Sequence, residues 1–297
     1  MIILAIASVF APGVISGPAH DSAPAFAPDG NTVYFARTNN NVSMILESHR
    51  SGSTWSQPVI APFSGAWKDQ EPTMAPDGSF LIFVSNRPAK AGGAVLDGSW
   101  GGKTYAGGGG NLWRVDRNGS GWSDPVRLPD IVNRSSSVFA PAIVKDGSIW
   151  FMDADKAGKF HLYRAQNTKS GYDAPVALPF GDPKTSDVDP AVAPDESYAV
   201  FGSGREPGQG SMDLFLVKKK PDGTWDTPKS LGDINSPASD AECRFSPDAK
   251  TLYFSSDRPV ETVTMPRSRA DAKKDLARLD YDNGLYNIWF VDLRPVL

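Results

Sequence analysis

The chain has 297 residues, 40% of them hydrophobic, enough to bury a large core. A formal net charge of -4 leaves no basic stripe and argues against a nucleic acid partner. The single cysteine, Cys243, rules out an intrachain disulfide, and the abundant Gly and Pro fall at turns between strand-like runs rather than in a disordered tract.

From the N-terminus, Met1–Phe10 is apolar enough for the core of a leader segment. No Lys or Arg precedes it, the first being Arg37, and it is too short to span a membrane. Part of it reads equally well as a strand. Beyond it, a unit recurs: a short strand, a Pro-Asp-Gly turn, then a second strand ending in Phe. Its copies begin at Asp21, Asp69, Val138, Asp187 and Asp240 and end at Phe35, Phe83, Phe151, Phe201 and Phe254. The period is roughly fifty residues.

Each copy continues into a third strand, such as Asn111-Leu112-Trp113, Asp213-Leu214-Phe215 or Asn287-Ile288-Trp289. A fourth carries an aromatic residue three positions before a proline: Trp55 and Pro58, Trp122 and Pro125, Tyr172 and Pro175, Trp225 and Pro228. Four short strands per period indicate an all-β propeller of five blades, spanning approximately 21–66, 67–134, 135–185, 186–237 and 238–297. The fifth copy lacks a fourth strand, whereas residues 8–16 match that pattern ahead of the first copy. The N-terminal strand is therefore expected to complete the last blade and close the ring as one domain, which removes exposed edges. Two insertions, Pro88 to Gly110 and Pro259 to Gly284, fall between second and third strands and so on one face. The first looks too Gly-rich to be regular; the second contains a short helix with Ser268 as its cap.

The Pro-x-Phe-x-Pro-Asp-Gly, Tyr-Phe-x-Ser-x-Arg and Asp-Leu-Phe patterns resemble the WD40-like (PD40) repeats of TolB-type propellers over nearly the whole chain, from about Ser8. This resemblance implies an exported or periplasmic protein whose ring presents a binding face. Neither the sixth blade nor the second domain of TolB is visible, so a role in the Tol envelope system does not carry over.

Aligning the copies on the proline of the first strand (Cys243 in the fifth) places Ala23, Glu71, Ala140, Asp189 and Glu242 one position before it, and Asp21, Asp69, Val138, Asp187 and Asp240 three before. First strands line a propeller channel, so Glu71, Asp189 and Glu242 are expected to converge at one mouth. Arg244 stands where other copies have Ala or Thr and is expected to reach into the channel. Arg87, Arg205 and Arg258, four residues beyond the Phe, fall at the same mouth as candidate binding groups, and Trp67 and Trp100 are off-register aromatics that could line it. The regularly spaced acids also suit inter-blade ion pairs and turn caps, and pairing with Arg244 would account for the three channel acids.

Two functions remain open from sequence. The favoured one is a monomeric binding module taking a small molecule or protein at the decorated face. The alternative is a metal-assisted hydrolase of phosphoesters, esters or lactones, with Glu71, Asp189 and Glu242 as acid/base groups or as ligands for Ca²⁺ or Mg²⁺ and Arg244 stabilising an anion. The same carboxylates would also suit a general acid/base pair acting on a glycoside. His20, His49 and His161 show no ligand spacing, and Cys243 reads as an inert core thiol.

Overall fold

The computed structural model describes residues 6–40, 42–261 and 265–297; the start of the apolar N-terminal stretch lies outside these. Five antiparallel sheets form a β-propeller, four of them each built from the strands of one copy and the fifth completed by an N-terminal strand. In the second blade the order runs from the inner strand Asp69–Met74 through Phe80–Ser85 to Asn111–Asn118, with Gly121–Trp122 and Val126–Arg127 outermost.

The second strands explain the apolar runs in the sequence. Alternate side chains of a strand point to opposite faces, and both faces of a blade are covered by neighbours. Leu81 and Phe83 pack toward the first blade with Tyr34, Ile45 and Phe63, whereas Phe80, Ile82 and Val84 pack toward the third with Phe139 and Phe151. The core is accordingly five apolar wedges, one per gap between blades. The five repeat phenylalanines are all completely buried, each worth about 2–3 kcal/mol of transfer free energy.

The ring closes as the sequence implies. Ser8 and Val9 pair with Phe290 and Trp289, the Phe10 amide donates to the Ile288 carbonyl, and Phe10 sits among Phe26, Trp55, Tyr253 and Phe290. The closing strand is short, and the chain beyond it turns so that the Ser16 hydroxyl donates to the same Ile288 carbonyl.

The insertions sit where expected, with one correction. The Gly-rich segment contains a regular hairpin, Gly98–Trp100 paired with Lys103–Tyr105. Trp100 stacks on Tyr105 at 4.0 Å and meets Phe139 and Phe160 edge-on, so aromatic packing pins the hairpin onto the third blade despite the glycines around it. The other insertion carries the helix Arg269–Arg278, capped by Ser268, whose side chain accepts from the Asp271 amide.

Candidate functional site

The site is built on a backbone irregularity that recurs five times. Each inner strand slips register against its neighbour at the repeat's proline position, where four blades carry a residue with no N–H for the ladder and the fifth carries Cys243. The residue before that position is forced into the left-handed region: φ is 48° at Ala23, 53° at Glu71, 50° at Ala140, 55° at Asp189 and 52° at Glu242. None is a glycine, so each carries backbone strain that the surrounding sheets must hold.

Two acids at these positions bridge to the following blade. Glu71 Oε2 accepts the Ala140 amide at 2.6 Å, and Asp189 Oδ2 accepts the Glu242 amide at 3.2 Å. In both cases the donor is the left-handed residue of the next blade. Glu242, the most exposed of the three, has its Oε2 buried with no hydrogen-bond partner among the described residues.

The acids are close enough for their charges to act on one another. Burial, then the charges of Asp189 and Glu242, push Glu71 up to about 8. Burial, then Glu242, push Asp189 up to about 7, against the lowering influence of Arg244. Arg244 is 4% exposed and crosses the channel: its Nε donates to the Pro72 carbonyl at 3.2 Å and its Nη1 to the Cys243 carbonyl at 2.7 Å. Nη2 has no partner, and among the described residues Arg244 forms no ion pair with any acid. Sequence reasoning thus brought together Glu71, Asp189, Glu242 and Arg244; it did not anticipate that the acids bond to backbone amides rather than to the arginine.

Arg87, Arg205 and Arg258 are spent inside the scaffold. They pair with Asp69, Asp187 and Asp240 at 2.9, 2.6 and 2.5 Å and donate to the Phe63, Phe180 and Ile234 carbonyls of the preceding blade. Their guanidinium groups also lie over Phe83, Phe201 and Phe254. Arg37 with Asp21 fills the same role, and in the third blade, where Val138 replaces the acid, Arg134 pairs with Asp153. Trp67 lines a side cavity of about 240 Å³ with Phe63, Arg87 and Trp122. Trp100 lies under its hairpin. Cys243 is completely buried, and burial pushes its thiol up, so it is unreactive.

One residue near the acids, Tyr286, escaped the sequence reading, and His20, which shows no ligand spacing in the sequence, sits against it. The Tyr286 amide donates to His20 Nδ1 at 3.1 Å, and their rings meet edge-on at 5.3 Å. The Tyr286 hydroxyl is pushed up first by burial and also by Glu242, Asp257 and Asp189. The only sequence signal was the position of His20 directly before a repeat aspartate.

Two of the three acids commit an oxygen to a backbone amide, and among the described residues no three His, Cys, Asp or Glu side chains are arranged to hold an ion. No helix of the described residues is long and apolar enough to cross a membrane.

No family model matches this chain, and no curated protein matches its sequence. Solved structures share the fold at low identity. A protein assigned as TolB from Agrobacterium tumefaciens is 17% identical over 84% of this chain and 74% of its own, with a TM-score of 0.52. An α-L-arabinofuranosidase from Lactobacillus brevis is 12% identical over 96% of this chain and 92% of its own, at 0.56. The catalytic domain of another, from Coprinopsis cinerea, is 11% identical over 97% of each chain, at 0.53. The chain is therefore an all-β propeller with TolB-like and glycoside-hydrolase propeller neighbours.

Proposed function

We propose that this propeller is a binding module whose acidic channel mouth takes a cationic group, an amine or guanidinium carried by a small molecule or a protein side chain. One observation carries the reading: three acids share a channel with a single arginine that pairs with none of them, and Glu242 leaves an oxygen unpartnered. Unneutralised carboxylates in a low-dielectric channel attract positive charge. The inserted hairpin and helix stand on the same face and supply the contact surface around the mouth. Because a bound cation favours the ionised acids, affinity rises as pH passes through about 7 and 8. Calorimetric titration with spermidine and with a lysine-rich peptide tests this, on wild type and Glu242→Gln. Binding that weakens in the variant and strengthens with pH is expected; equal binding by both proteins, or none, overturns it. The TolB-type likeness supports an exported location, which cell fractionation tests.

A second reading rests on a different observation. Glu71, held protonated near neutrality beside Asp189 and Glu242, has the character of a general acid next to a carboxylate base, the pairing that glycoside cleavage uses. The arabinofuranosidase neighbours support that direction at the level of fold alone. Turnover of 4-nitrophenyl glycosides, α-L-arabinofuranoside included, that disappears in both Glu71→Gln and Glu242→Gln would establish it. A silent wild-type enzyme across the panel removes it.

A further inference from the structure

At the end of the channel away from the insertions, all five blades enclose a cavity of about 90 Å³. Prolines recur around it, Pro24 and Pro190 among them, and they bring no amide hydrogen. At the level just past the repeat proline three blades offer only Ala25, Ala142 and Ala191, while the other two offer Thr73 and Arg244. Those two are neighbours across the channel, because Arg244 Nε bonds to the carbonyl of Pro72, the residue before Thr73. The Thr73 hydroxyl makes no hydrogen bond among the described residues, and Arg244 keeps Nη2 without a partner although the side chain is 96% buried, from its exposure of 4%. Ser246, also in the wall, already donates to Asp248.

A buried guanidinium with an unsatisfied N–H is costly unless something accepts from it. A compact cavity with one cation and one free hydroxyl at its head matches a singly charged, planar acceptor. A phosphate would bring a second charge with no second cation to meet it. We propose that this cavity is a carboxylate site, with Arg244 and Thr73 as its anchors, and that it takes either a small free acid or the acidic end of a polypeptide inserted from that face. It lies at the opposite end of the channel from the cation site above, linked to it only through the Arg244 charge that also reaches Glu71 and Asp189.

The test uses ¹³C-carboxyl acetate as the probe, following its NMR line width as the full chain is added, with chloride held constant. Saturable broadening is expected for wild type. Thr73→Ala should weaken it several-fold and Arg244→Ala by roughly tenfold to a hundredfold, the range for loss of a hydrogen bond to a charged group. Arg244→Lys, which keeps the charge, should retain part of the binding and serves if Arg244→Ala does not fold. Competition by a tripeptide with a free C-terminal carboxylate, but not by its amide, assigns the site to a polypeptide end; competition by formate alone assigns it to small acids. Broadening that is absent, does not saturate, or is unchanged in Thr73→Ala and both Arg244 variants overturns the proposal.

Discussion

Glu71→Gln is the substitution that tests the channel most directly. Glutamine keeps the shape of a protonated glutamate and an oxygen able to accept the Ala140 amide, but it cannot ionise. In wild type the group moves from 4.5 to about 8 on folding, so the folded chain holds a proton that the unfolded chain has released. The associated stability is fully present below about pH 4.5 and is lost as pH climbs through about 8. At 1.36 kcal/mol per pH unit, the loss between about pH 5.5 and 8.5 reaches about 3 kcal/mol as a ceiling, shared with Asp189 because the two are coupled. Urea unfolding of both proteins at those two pH values measures it. Near pH 5.5 wild type and Glu71→Gln should agree within about 1 kcal/mol, since both present a neutral side chain. Near pH 8.5 the variant should be the more stable. A residual slope is expected from Asp189 and from Asp21, raised to about 7 and about 6. Equal losses in the two proteins would refute the claim that Glu71 is held protonated in the channel.

Breaking the buried Arg258–Asp240 pair with Arg258→Ala should cost about 3–5 kcal/mol in chemical unfolding, because Asp240 is left buried without its cation; a loss below about 1 kcal/mol would contradict that role. Phe10→Ala removes the aromatic seal of the closing blade and should cost about 3–5 kcal/mol, read in the same assay; a near-neutral result would mean the ring does not depend on closure. Because Glu71 and Asp189 each commit an oxygen to an amide, the unfolding temperature should not change when chelator is replaced by Ca²⁺ or Mg²⁺; a metal-dependent rise abolished in Glu71→Gln would restore the metal reading.

The fold was legible because its signals are periodic. A blade buried on both faces demands an uninterrupted apolar second strand, and Phe80-Leu81-Ile82-Phe83-Val84 supplies one. The missing fourth strand and the matching N-terminal segment pointed to closure. The arginines were harder, because an Arg four residues past the Phe serves a binding mouth and a buried strut equally well. Only the register, with Asp69 opposite Ser85 and two residues from Arg87, decides for the strut. The bulge was not legible at all. Left-handed backbone is normally announced by glycine, yet here Ala, Glu and Asp adopt it at the bulge, before a proline in four blades and before Cys243 in the fifth. That conformation sets which way Glu71 and Asp189 point, so their amide partners could not be read from strand alternation.

Arg244 joins the two ends of the channel, and this makes the two proposed sites separable by one substitution. Its charge lowers the pKa of Glu71 and Asp189 on one side, while its guanidinium heads the carboxylate cavity on the other. Arg244→Ala, which copies the residue three other blades carry, should therefore act with opposite signs. Acetate binding should fall. Cation binding at the mouth should move to higher pH, because both acids hold their protons more tightly without the arginine; once they are ionised, it should become tighter than in wild type, because the competing positive charge is gone. General damage to the channel would instead weaken both ligands together at every pH. Titrating spermidine and acetate against the same protein at about pH 6 and 9 distinguishes these outcomes. Parallel loss of both would mean that Arg244 is a strut holding the blades together and that neither end of the channel owes its chemistry to it.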